Sequence, residues 1–97
     1  AQGRPGEVLE YRISYQNIGS LPISNVVLSD PIPFFTTLVQ DAYGGTGEAL
    51  LVCPNGTSVY PHLGSVSSIS LSLASLCSAS ALPPGQGGYF VYRVQVQ

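Results

Sequence analysis

Strict alternation of apolar and polar side chains is the feature that most restricts what this chain can fold into. In "EVLEYRISYQN", Leu9, Tyr11, Ile13 and Tyr15 fall on one face and Glu10, Arg12 and Ser14 on the other. A period of two held this long describes a half-buried strand, because successive strand side chains point to opposite faces. "SVSSISLSLASLC" repeats the pattern, setting Ser68, Ser70 and Ser72 against Ile69, Leu71 and Leu73, so its strand has one hydroxyl face and is expected to run to Cys77. The closing "YFVYRVQVQ" does the same with Phe90, Tyr92, Val94 and Val96. No stretch carries a helical period, which points to an all-β fold.

Turn chemistry divides these runs. "NIGSLP" supplies Asn17, Gly19 and Pro22, and "ISNVVLSD" resumes as a strand through Ile23, Val26, Val27 and Leu28. Then comes "DPIPFFTTLV", in which Pro31 and Pro33 fix φ and each remove a backbone donor. Such a segment cannot lie in the middle of a ladder, so it is expected to be an edge or a crossover between sheets. Asp30 stands where its carboxylate could accept backbone N–H bonds at the turn. Phe34 or Phe35, with Leu38, is expected to re-enter the core. "LLVC", the Asn-Gly turn in "PNG" and "TSVYPHL" read as two further short strands joined by a hairpin. The spacing predicts an immunoglobulin-like β-sandwich of about seven short, mostly antiparallel strands, with residues 1–97 forming a single domain.

Composition narrows the setting. Only 8% of the 97 residues are charged against 44% hydrophobic, and the three cationic side chains, Arg4, Arg12 and Arg93, are all arginine. Without a basic stripe to neutralise phosphates, nucleic acid is excluded as a partner. A solitary soluble domain normally carries about 25–35% charged residues on its surface. A surface of Ser, Thr, Gln, Asn and Gly instead suits a protein packed against copies of itself or covered with sugar. No apolar run reaches the roughly 18 residues of a membrane span. The first residue is Ala1, so a removed signal, a processed precursor or an excised segment is expected upstream. An even cysteine count, low charge and abundant Ser and Thr predict a Cys53–Cys77 disulfide and an extracellular or cell-surface location.

Several motifs, in order, resemble a known family. They are Pro5-Gly6, Tyr11 in the first strand, Asn17-Ile18-Gly19, Asn25-Val26, Asp30-Pro31-Ile32-Pro33 and, before the last strand, Leu82-Pro83-Pro84-Gly85. Together they resemble the bacterial and archaeal surface-repeat family known as domain of unknown function eleven, over about residues 4–33 and 82–96. The resemblance implies an immunoglobulin-like module acting as stalk, spacer or fibre unit, with no enzymatic activity. This sequence departs from the family in having only "AQGR" before the Pro-Gly lead-in, where a further strand is common.

Candidate chemistry is sparse. His62, the one histidine, is next to Pro61 and reads as a loop residue rather than a general base. One histidine and two paired cysteines leave too few ligands for zinc, and Asp30, Asp41 and Glu48 lack the spacing of a calcium loop, so no metal or cofactor is expected and the carboxylates read as surface or turn-capping groups. "GGTGE" lacks the Lys-Ser/Thr of a phosphate loop and reads as a flexible turn. Asn55-Gly56-Thr57 matches the N-glycosylation pattern on a turn whose geometry the same Asn-Gly serves. The serine-rich run 65–80 could carry O-linked sugar or pack on another subunit. The six tyrosines could form a sugar platform, although alternation assigns at least three to packing.

These readings lead to a structural module or subunit of an extracellular filament or surface layer that self-associates, as a homopolymer or a tandem repeat. The alternative is an adhesin-type module that recognises a glycan or protein through its loops. Assembly is expected to be head-to-tail and open, with a sheet edge left bare by the missing first strand and with the C-terminal strand, residues Tyr92, Val94 and Val96, donated to a neighbour.

Overall fold

A computed structural model describes residues 4–97. The chain is an all-β sandwich of antiparallel strands. Among the described residues, nine strands and one short helix follow in order: β1 (Val8–Gln16), β2 (Ile23–Ser24), β3 (Val27–Pro31), β4 (Thr36–Leu38), β5 (Ala49–Val52), β6 (Ser58–Val59), β7 (Ser68–Ser72), α1 (Leu73–Cys77), β8 (Ala81–Leu82) and β9 (Gly87–Val96).

The long β9 organises the first layer. Along one side it pairs with the whole of β1, from Val8 opposite Gln95 to Gln16 opposite Gly87. Its other side is shared end to end by β5, opposite Tyr89–Tyr92, and β4, opposite Val94–Val96. β6 extends the sheet beyond β5. A second layer is built from β3 paired with β7 and, beside it, β2 paired with β8. Between the layers lie Leu38, Ala49, Leu51, Ile69, Leu71, Leu73, Phe90, Tyr92 and Val94, with the inward side chains of β1 packed along the rim. The alternation read from the sequence is the alternation of burial: Leu9, Tyr11, Ile13 and Tyr15 are half-buried and their neighbours exposed, while Ile69 and Leu71 are wholly buried between exposed Ser68 and Ser70.

The double-proline segment is the crossover it was expected to be. Pro31 ends β3 opposite Ser68, and the Ile32 N–H still donates to the Ser67 carbonyl (2.9 Å). After Pro33 the chain turns and enters the other layer as β4. Two details differ from expectation. Among the described residues Asp30 caps no backbone; its carboxylate accepts the phenol of Tyr92 across the core. Phe34 and Phe35 stay out of the core, 93% and 82% exposed, and Leu38 alone makes the predicted return. The turn explains this: Phe35 takes φ +62, which aims the pair outward, and the next core-facing position falls at Leu38.

Other expected strands are interrupted. "ISNVVLSD" splits at Asn25, whose φ of +55 breaks the run so that β2 and β3 join different partners. The serine-rich strand stops at Ser72, whose hydroxyl caps α1 by accepting the Ser75 N–H, and Ser78 closes that turn at φ +54. The short helix delivers Cys77 to Cys53 at the exit of β5, and the two form a disulfide that ties the layers together. "TSVYPHL" contributes only Ser58–Val59 as strand.

The expected donor role of the C-terminal strand is overturned. β9 is central, paired on both sides within its own chain; Tyr92 and Val94 are 1% and 0% exposed, and Val96 is half-buried. Residues 92–96 are already committed to this domain's own sheet and core. The bare edge lies instead on β1, which pairs only with β9 among the described residues.

Candidate interaction surface

The body measures 44 × 26 × 19 Å, and the register fixes what stands at its two ends. β1 begins where β9 ends, so Glu7, Val96 and Gln97 meet at one pole. The loop between β3 and β4 joins them there, since the Gln97 N–H donates to the Phe35 carbonyl (2.7 Å). At the opposite pole, β1 runs into the loop 17–22 beside the start of β9, through the Asn17 N–H to the Gln86 carbonyl (2.9 Å). Ten residues of β9 at about 3.3 Å each keep these loops roughly 30 Å apart.

Both poles are apolar, and both are pinned. At the first, Phe34 and Phe35 flank a cleft of about 560 Å³ lined also by Pro31, Ile32, Thr37 and Val66. Thr36 holds the turn: its hydroxyl donates to the Pro33 carbonyl (2.6 Å) and its N–H to the same oxygen (3.3 Å). Phe35, at positive φ and exposed to solvent, is strained without compensating burial among the described residues. At the second pole, Ile18 is 92% and Leu21 74% exposed, with Ile23 behind them at 47%. The loop carrying them is organised by Asn17, which is 2% exposed and fully hydrogen-bonded. Its Nδ2 donates to the carbonyls of Leu21 (2.8 Å) and Leu82 (2.9 Å), and its Oδ1 accepts the Gly19 N–H (2.9 Å). Asn17 therefore does more than favour a turn. The Asn-x-Gly spelling was the available signal, but nothing local indicated that the side chain would be buried against Leu82.

A third cluster gathers Asp41, Glu48 and His62. Glu48, read from the sequence as a surface or turn-capping carboxylate, is wholly buried and caps loop backbone. Its Oε1 accepts the N–H groups of Leu63 (2.6 Å) and Gly64 (2.7 Å), and its Oε2 accepts that of Asp41 (3.0 Å). His62 Nδ1 lies 3.1 Å from Glu48 Oε1 and 3.0 Å from the Thr46 carbonyl. Both neighbours are acceptors, so this nitrogen carries the proton. Burial pushes the Glu48 carboxyl up, but the three N–H donors and the His62 charge outweigh it and hold the group below its ordinary value. His62 is raised, first by its bond to Thr46 and then by the Glu48 charge. Asp41, Glu48 and His62 bring potential ligand atoms within 4.8 Å of one another, yet the Glu48 oxygens and His62 Nδ1 are already engaged. The arrangement is a clamp that closes the 40–48 and 60–64 loops. "GGTGE" is accordingly an ordered hairpin turn, with Tyr43 and Gly47 exchanging backbone bonds of 3.0 and 2.9 Å.

The outer face of the five-stranded sheet carries Glu10, Arg12 and Arg93. Glu10 accepts from Arg93 Nε (3.0 Å) and the Tyr43 hydroxyl (2.6 Å), and these bonds hold its carboxyl low. Arg12 lies over the Tyr89 ring at 3.8 Å. Of the six tyrosines, Tyr92 is buried, Tyr60 is exposed, and Tyr11, Tyr15, Tyr43 and Tyr89 are partly covered. Asn55 is exposed at the β5–β6 turn, where its Oδ1 accepts the Thr57 N–H (3.0 Å). No described helix is long and apolar enough to cross a membrane. No protein-family model, curated protein or solved structure matches the chain.

Proposed function

We propose that this chain is a structural module or subunit of an extracellular filament or cell-surface layer, working by self-association in which the Phe34–Phe35 pole of one copy meets the Ile18–Leu21 pole of the next. The observation that carries the reading is the pair of exposed apolar loops, different in sequence and at opposite ends of an elongated body, each held by specific hydrogen bonds. Pinned loops lose little conformational freedom on docking, which favours association. Because the two patches differ, their contact is heterologous and leaves a free pole at each end, the condition for an open fibre. The absence of lysine and the low charge suit a molecule surrounded by its own kind.

The disulfide fits an oxidising compartment. The ordered motifs that resemble the surface-repeat family support the same setting, and Asn55 offers an exposed position for a glycan.

The cleft beside Phe34 and Phe35 favours a second reading, an adhesin-type module that takes an apolar portion of a glycan or protein ligand. Electron microscopy and sedimentation velocity of the purified chain and of Phe34→Asp separate the two. Fibres abolished by the substitution support stacking, whereas a monodisperse wild-type protein overturns it.

A further inference from the structure

The free edge of β1 has a definite polarity. The Asn17 N–H donates to Gln86 and Glu7 accepts from Val96, so the odd-numbered residues of β1 bond to β9. The bond from the Val39 N–H to the Arg93 carbonyl agrees, because it assigns the odd residues of β9 to the opposite side. It follows that Val8, Glu10, Arg12, Ser14 and Gln16 turn their N–H and C=O groups outward, unpaired among the described residues. Nine residues of bare edge with no lysine and no proline is an arrangement that natural sheets usually blunt. The rim beside it is unfinished too: Leu9, Tyr11, Ile13 and Tyr15 pack on the core but remain half-exposed.

We infer that a second copy of this chain covers this edge, β1 pairing antiparallel with β1 of the partner about a two-fold axis at Tyr11. Charge selects the register. Outward-bonding residues must face outward-bonding residues, so the paired positions are all even. Centring on Arg12 sets arginine against arginine, and centring on Glu10 sets glutamate against glutamate; like charges directly opposite are destabilising. Centring on Tyr11 sets Glu10 against the partner's Arg12 and Arg12 against the partner's Glu10, two reciprocal opposite-charge pairs. In the same register Val8 faces Ser14, Leu9 faces Ile13 on the core side, and the two Tyr11 rings meet over the seam. Each Glu10 then lies in a row of alternating charge between its own Arg93, opposite it on β9, and the partner's Arg12. The contact is isologous and closes on itself, so it joins stacked copies sideways and leaves both poles free.

This inference rests on the self-association reading and is tested separately from it by sedimentation equilibrium. Arg12→Glu and Glu10→Arg are each expected to weaken lateral dimerisation at least tenfold. An equimolar mixture of the two variants should recover it, because all-glutamate and all-arginine edges complement each other. Glu10→Arg also removes bonds to Arg93 and Tyr43, so Ser14→Pro provides an independent probe: it deletes an outward N–H while sparing the ladder to β9. It should abolish dimerisation while the near-ultraviolet circular dichroism is retained. If Arg12→Glu and Ser14→Pro dimerise as tightly as wild type, or the mixture fails to recover, the edge pairing is wrong. Should those variants be unaffected while Phe34→Asp shortens fibres, lateral pairing falls and polar stacking stands. A wild-type chain that stays monomeric at millimolar concentration overturns both.

Discussion

Replacing Glu48 with glutamine changes almost no volume but converts one acceptor into a donor, and the surroundings cannot accommodate that. If the amide oxygen keeps Leu63 and Gly64, the NH₂ group faces the Asp41 N–H, donor against donor in a wholly buried site. The bond to Asp41 is lost, and the other two change from charge-assisted to neutral. With about 1.5–3 kcal/mol for a hydrogen bond to a charged group and about 0.5–1.5 for a neutral one, losing one bond and weakening two by about 1 kcal/mol each means Glu48→Gln should cost about 4 kcal/mol. For a domain of this size that lowers Tm by roughly 16–32 °C. Its pH dependence is more diagnostic. The Glu48 carboxyl is held below its ordinary 4.5, so its contribution is fully present above that value and lost as pH falls through the lowered one. Protonated Glu48 then has the same donor conflict as glutamine, and the gap between variant and wild type should close in acid. His62 is raised above its ordinary 6.5; its share is present below 6.5 and lost as pH rises through the raised value. The stability gap, measured by urea denaturation at a series of pH values, should be widest between about 4.5 and 6.5. A gap below about 1 kcal/mol at pH 6, or one constant from pH 3 to 8, would refute the clamp.

Four further outcomes are expected. Removing both halves of the Cys53–Cys77 bridge, 24 residues apart, as Cys53→Ala/Cys77→Ala should cost about 3.5 kcal/mol in chemical denaturation. In wild type, intact mass should shift on alkylation only after reduction. Tyr92→Phe strips Asp30 of its phenol donor and should cost about 2 kcal/mol by the same assay, with no effect on the secondary structure seen by far-ultraviolet circular dichroism. Phe35→Gly relieves the left-handed strain while giving up little buried area, so the folded chain should gain up to about 1 kcal/mol even as fibres are lost; a destabilised variant would show that Phe35 packs more than its exposure suggests.

Much of this architecture was legible because alternation is a local signal. β1, β7 and β9 could be read from side-chain period alone, and the crossover at Pro31 and Pro33 from two missing donors. What escaped was set by partners distant in sequence. Glu48 read as a surface or turn-capping carboxylate, and its burial was not legible because the N–H groups it accepts come from residues 41, 63 and 64, brought together only by the closed loops. One of Phe34 and Phe35 was expected in the core because hydrophobicity alone cannot show that a positive φ at Phe35 turns the pair outward. The centrality of β9 was hidden for a related reason: a C-terminal strand reads as an edge until β1, β4 and β5 are known to flank it. Asn17 was recognised as a turn former, whereas its role depends on Leu82, 65 residues away.

The central claim, that copies stack pole to pole through unlike surfaces, is tested most directly by the length distribution of fibres when wild-type chain is mixed with increasing fractions of Phe34→Asp, measured by electron microscopy. The variant keeps a working Ile18–Leu21 pole and lacks the other, so it should add to one end of a fibre and stop growth there, with mean length falling steadily as its fraction rises. Fibres of unchanged length at every ratio, or a wild-type chain that forms none, would contradict the account.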